Sequence, residues 1–158
     1  MPDTPSEQPW SDGATEHGRI LILSDNPISR AIATIAGAVG REVVVQADDE
    51  GGPGLAALSP VAGDAVVLCD HDAPDAPQFL RDALASPASY VAMMASRRRS
   101  ERVMAELDEQ GVSGRDKLHV PAGHNLGGKA PGEIALSVVA EIVAESYERP
   151  GGPMRSPR

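Results

Sequence analysis

Hydrophobic and polar positions run along this chain in two rhythms. Ile20-Leu21-Ile22-Leu23, after Arg19, is a short unbroken apolar run, the pattern of a strand buried on both faces. Past Ser24-Asp25-Asn26-Pro27 the rhythm changes: Ile28, Ile32, Ile35, Ala36 and Val39 recur at helical spacing, and Gly40 stands where a helix end favours glycine. Residues 42–47 predict a second strand, and only a short helical stretch near Leu55 to Leu58 follows the turn at Gly51-Gly52-Pro53-Gly54. Residues 64–69 predict a third strand, with Phe79, Leu80, Ala83 and Leu84 marking the helix behind it. Residues 90–95 predict a fourth, followed by a helix carrying Val103, Met104 and Leu107. Residues 117–120 give a brief fifth strand, and Ile134, Val138, Ile142 and Val143 stripe a last helix.

Strand–helix alternation requires parallel, right-handed crossovers. The expected architecture is therefore α/β: a Rossmann-like three-layer αβα sandwich on a parallel sheet of about five strands. Residues 1–18, with Pro2, Pro5, Pro9, four acidic side chains and no Lys or Arg, read as a disordered tail in which Trp10 is the one large apolar feature. Residues 19–147 form the expected domain, and residues 148–158, rich in Pro and Gly, a flexible end. Only 3% of the chain is aromatic, so the core must be aliphatic. The formal charge of −9 argues against nucleic acid or an anionic membrane as partner. One cysteine, Cys69, excludes a disulfide within the chain and a cysteine-only metal cluster. No apolar run reaches the roughly 20 residues of a bilayer span, and no secretory signal opens the chain, so a cytoplasmic protein is expected.

In such a sheet ligands bind beyond the carboxyl ends of the strands, where strand order reverses. A dinucleotide-binding fold carries G-x-G-x-x-G after its first strand; here those glycine positions read Ser24, Asn26 and Ser29. Side chains there obstruct the approach of a pyrophosphate, and Asn26-Pro27 is a sound helix start by itself. An ordinary turn accounts for the segment, a working nucleotide cradle being the alternative. Asp48 falls near the position that holds a ribose hydroxyl in such folds, though a solvated turn explains it as well.

Arg97, Arg98 and Arg99 open the helix after the fourth strand. Each cation at a helix N-terminus costs about 0.3–1 kcal/mol, so three of them either face water or hold a phosphate or carboxylate. Ser96 is a ready cap for that helix. His71, between Asp70 and Asp72, could shuttle a proton or be a loop histidine satisfied by its neighbours. Cys69 fits a small buried hydrophobe better than a reactive thiol. His119 and His124 are a weak metal signal, and His119 fits a half-buried strand residue. Gly123, with Gly127 and Gly128, would let backbone approach a ligand closely.

Three stretches are less generic: Tyr90-Val91-Ala92-Met93-Met94-Ala95-Ser96-Arg97-Arg98-Arg99, Leu118-His119-Val120-Pro121-Ala122-Gly123, and Lys129-Ala130-Pro131-Gly132-Glu133-Ile134-Ala135. Together with the closing Ala140-Glu141-Ile142-Val143-Ala144, they resemble the C-terminal Rossmann domain of the XdhC/CoxI family. The resemblance extends over Arg19 to Gly40 and over Asp70-His71-Asp72. The chain departs from the family pattern at the first-turn glycines, at Ala47, at Ala95 and at Asn125, and reads as a divergent member without the family's N-terminal domain.

The resemblance implies an accessory role in maturing molybdenum hydroxylases of the xanthine or CO dehydrogenase type, rather than catalysis. The implied cofactor is molybdopterin, as its cytosine dinucleotide, bound transiently, with NAD(P) disfavoured by the lost glycines. The implied partners are the apo-hydroxylase or other maturation factors, with a homodimer as a further possibility. The expected cofactor-binding set comprises Ser24, Asn26, Ser29 and Asp48, then His71, then Ser96, Arg97, Arg98 and Gly123. An NAD(P)-dependent oxidoreductase-like protein and an interaction module with a vestigial nucleotide pocket are the alternatives.

Overall fold

A computed structural model describes residues 17–47, 54–70, 72–73 and 76–155. Five strands carry the fold: β1 (Ile20–Leu23), β2 (Val43–Gln46), β3 (Ala65–Leu68), β4 (Tyr90–Met93) and β5 (Leu118–His119). Four helices connect or follow them: α1 (Pro27–Ala38), α2 (Ala76–Ala85), α3 (Arg97–Glu109) and α4 (Pro131–Ser146). The sheet is parallel throughout in the order β2-β1-β3-β4-β5. The expected α/β sandwich is thus the observed one. Strand order reverses between β1 and β3, which puts the crevice of the sheet between the loops leaving those two strands.

The unbroken apolar runs became the buried strands. Every residue of β1, β3 and β4 is buried, whereas edge strand β2 is only half covered. Alternate side chains serve opposite faces. Leu21, Leu23, Val66, Leu68 and Val91 pack towards α2 and α3 on Phe79, Leu80, Leu84 and Leu107. Ile20, Ile22, Val67 and Ala92 pack towards α1 and α4 on Ile32, Ala36, Val138 and Ile142. Each fully buried aliphatic side chain stabilises the fold by about 1.5–3 kcal/mol, which is how so few aromatic residues suffice.

β1 matches its apolar run, whereas β2 to β5 are shorter than theirs predict, and the third shows why. Asp64, at the expected start of that strand, lies outside it and is buried as an acceptor. It takes the Arg19 N–H at 2.8 Å, the Arg19 side chain at 2.8 Å and the Val61 N–H at 2.9 Å. A short 3-10 turn, Gly54–Leu58, stands where the brief helical stretch was expected.

At the ends of the domain, His17 rests on Tyr147, its Nε2 2.9 Å from the phenol oxygen. The chain after α4 turns back: the Arg149 N–H reaches the Ala144 carbonyl, and Gly151 packs against the His124 ring. Trp10 with the rest of residues 1–16, Asp48, His71 and residues 156–158 lie outside the described residues. Among the described residues no helix is long and apolar enough to cross a membrane.

Candidate functional site

The β1–α1 turn lies at the sheet's crevice, where the sequence placed a degenerate glycine loop. Ser24 occupies the first glycine position at φ +85°, a left-handed conformation that favours glycine, and donates its N–H to the Gln46 carbonyl at 2.9 Å. Asn26 caps α1, its Oδ1 accepting the N–H groups of Ile28 and Ser29, both at 3.0 Å. The Ser29 hydroxyl returns the arrangement by accepting the Asn26 N–H at 2.8 Å, a capping box in which serine stands in for the usual glutamate. Pro27 has no N–H, and that of Arg30 goes to the Asn26 carbonyl. The first turn of α1 therefore has no donor left for a phosphate. Asn26 Nδ2 also reaches 3.3 Å across the crevice to the Cys69 carbonyl, tying the β1 and β3 loops together. Ser24, Asn26 and Ser29 thus form a closed structural turn, and the donor set that a dinucleotide pyrophosphate needs does not fit here.

Two strands away the geometry is different. The Ser96 hydroxyl caps α3 by accepting the Arg99 N–H at 3.1 Å, and the Ser100 hydroxyl donates to the Ser96 carbonyl at 2.7 Å. Among the described residues the N–H groups of Arg97 and Arg98 have no protein acceptor. Facing this helix start, the segment after β5 is stitched to β4 by the Ala122 N–H on the Met93 carbonyl at 3.1 Å. Between the two lies an open cleft of about 740 Å³ lined by Arg97, Glu101, Met104, Pro121, His124 and Asn125, among others. The three arginines diverge. Arg97 lines the cleft, Arg98 is exposed outside it, and Arg99 turns to Asp72 at 3.4 Å.

Gly123 also lines this cleft, but its backbone answers to α4. Its φ is +98°, a Cβ there would sit 2.3 Å from the Ser137 hydroxyl, and its N–H donates to Glu141 at 3.1 Å. The expected close approach at Gly123 is therefore to a helix of the same chain. Of the set drawn from the sequence, Arg97 and Gly123 line this cleft and Ser96 caps the helix beside it, Arg98 lies outside it, Ser24, Asn26 and Ser29 sit apart at the crevice, and Asp48 and His71 fall outside the described residues.

Beneath the cleft lies a cluster that the sequence reading missed. The Tyr90 hydroxyl donates to Glu141 Oε1 at 2.5 Å, and burial, then the adjacent carboxylate, drives the phenol pKa far above its ordinary value. The His119 ring stacks on Tyr90 with centroids 4.4 Å apart, its Nδ1 3.6 Å from the same Glu141 oxygen. One carboxylate thus braces β4, β5 and the Gly123 segment against α4. The one hint in the sequence was a glutamate inside the apolar stripe Val138 to Ile142.

Cys69 is buried, and burial followed by the nearby Asp70 pushes its thiol up to about 12, so it stays protonated at neutral pH. Among the described residues no group of three or more His, Cys, Asp or Glu could hold a metal ion.

Residues 20–142, nearly the whole ordered domain including both turns and the braced loop, match the family model described as the XdhC Rossmann domain. The chain belongs to this XdhC family. An uncharacterized protein of Escherichia coli (strain K12), YqeB, is 40% identical over 73 residues, which is 45% of this chain and 14% of that protein. The crystal structure of a xanthine dehydrogenase from Bacillus halodurans superposes with a TM-score of 0.68 at 21% identity, over 84% of this chain and 45% of that one. That likeness is one of fold. This XdhC domain spans less than half the length of either relative. Within the family match fall both the closed turn at Asn26 and the open cleft at Arg97.

Proposed function

We propose that this XdhC domain is an accessory factor in molybdenum hydroxylase maturation, acting in the cytoplasm. It holds the anionic end of a pterin–nucleotide cargo, or an acidic surface of the apo-enzyme, at the cleft between α3 and the segment after β5. The observation that carries this reading is the open start of α3. Arg97 lines a cleft of about 740 Å³ at a helix start whose N–H groups, among the described residues, have no protein acceptor, so a guanidinium and a helix N-terminus are available to the same anion. Ser96 fixes the helix start, and Glu141, through the Gly123 N–H, fixes the opposite wall.

The geometry gives the oxidoreductase alternative little support. Hydride transfer with a nicotinamide cofactor needs a pyrophosphate cradle, and the α1 start has used its donors on Asn26 and Asn26's own backbone. The test is to purify the full chain, ask by mass spectrometry whether a pterin nucleotide travels with it, and titrate it with molybdopterin cytosine dinucleotide and with the candidate apo-hydroxylase. Saturable capture of either is expected. Micromolar NAD(P) binding with neither captured would replace this reading with the oxidoreductase one.

A further inference from the structure

The opposite, amino-terminal edge of the sheet carries a second cleft. It measures about 610 Å³ and lies between the end of α4 and the segments leading into β3 and β4. Two arginines line it, in different electrical situations. Arg19 is paired: its Nη2 lies 2.8 Å from Asp64 Oδ2, and hydrogen bonding to that carboxylate holds the guanidinium pKa above its ordinary value. Arg41 is only 7% exposed, and among the described residues it forms no ion pair. Its one side-chain hydrogen bond there runs 3.0 Å from Nη2 to the Ser146 hydroxyl, which itself donates to the Val143 carbonyl. Burial pushes its pKa down, opposite to Arg19. A guanidinium buried without an anion is costly, and its planar fork of donors matches a carboxylate edge-on.

We propose that the Arg41 cleft is a binding site for a single carboxylate. The lining argues for that class over phosphate. Arg19 is already neutralised by Asp64, so one guanidinium remains, while Glu145 and Glu148 stand in the same walls and repel a dianion. Two sources supply the same chemistry. One is the chain itself: residues 1–16 carry Asp3, Glu7, Asp12 and Glu16 with no Lys or Arg, and they join the cleft at His17, which lines it. A tether that short gives an effective concentration on the millimolar scale. The other source is a free small carboxylate. This site lies at the far edge from the α3 cleft and does not depend on the function proposed there.

The test follows the Arg41 Nε–H signal in nitrogen-15-labelled full-length protein, assigned by its loss in Arg41→Lys. A second full-length protein carries Asp3→Asn, Glu7→Gln, Asp12→Asn and Glu16→Gln. Both are titrated with acetate and, separately, with inorganic phosphate. A saturable acetate response is expected in both. If the chain's own carboxylate occupies the site, the signal differs between the two proteins before any addition. In that case the parent takes acetate at least about tenfold more weakly, because the tethered group competes. Equal starting signals and equal acetate affinities assign the site to a free ligand. No saturable response to acetate in either protein, or a tighter response to phosphate, overturns the proposal.

Discussion

At the carboxyl edge of the sheet, α1 and α3 both begin with a polar cap. Asn26 caps α1 and takes two N–H groups, with Ser29 closing the box behind it. Ser96 caps α3 and takes one, that of Arg99. The residue after the cap sharpens the contrast, since Pro27 removes a donor at α1 and Arg97 adds a cation at α3. The same helix-start chemistry thus locks the sheet's crevice in one place and, among the described residues, leaves two N–H groups without a protein acceptor in the other. At the crevice that topology singles out, the β1 and β3 loops are tied together by the Asn26 amide on the Cys69 carbonyl.

The largest test of that contrast breaks the wall facing α3. Glu141→Ala leaves the Tyr90 hydroxyl and the Gly123 N–H without their acceptor, and should cost about 3 kcal/mol, read as a shift of the urea midpoint. Glu141→Gln keeps an acceptor oxygen and should recover much of it. An alanine variant as stable as its parent would mean that something else holds the wall.

The closed turn rides on β1, whose entry is pinned by Asp64 and Arg19. Burial pushes the Asp64 carboxyl up, but the Arg19 side chain and the N–H groups of Val61 and Arg19 outweigh it and hold its pKa below the ordinary value. A carboxyl whose folded pKa is depressed contributes its full stability above the unfolded value, roughly 3.9, and loses it as pH falls through the folded one. Asp64→Asn should therefore cost about 2 kcal/mol at neutral pH. In thermal scans the gap to the parent should narrow below about pH 4. A gap that stays constant in acid would contradict the depressed pKa.

A third test separates the arginines. Arg97→Glu should weaken capture of the pterin nucleotide or apo-hydroxylase at least about tenfold, with the melting temperature unchanged or raised because the helix start then meets its preferred charge. Arg98→Glu, outside the cleft, should weaken it less. Equal losses for the two would shift the assignment from a site to a general basic patch.

The smallest expected effect is at the closed turn itself. Asn26→Ala should lower stability by about 1 kcal/mol, the usual value of a side-chain cap. The parent protein should bind NAD no tighter than about 1 mM in calorimetry. Micromolar binding would mean that the caps swing aside, and the contrast between the two turns would then be one of dynamics.

Much of this was legible in the chain because periodicity is a local property. The runs at 20–23, 64–69 and 90–95 pointed to buried strands, the alternation with helices implied a parallel sheet, and Asn26-Pro27 announced its cap. The stretches at Ser96-Arg97-Arg98-Arg99 and His119 to Gly123 carried the family resemblance without any knowledge of how they meet. Tertiary structure alone decided what depends on residues far apart in the chain. It brought Arg97 to the cleft and sent Arg98 and Arg99 elsewhere, because a helix of 3.6 residues per turn sends neighbouring side chains to different faces and only the facing loop decides which face is covered. It made Gly123 a packing glycine by bringing Ser137 beneath it, and paired Tyr90 with Glu141 across 51 residues. Arg19 and Arg41 are the same residue type in the sequence. Only the fold gave one of them a carboxylate and buried the other without one among the described residues, because charge compensation is settled by distance in space.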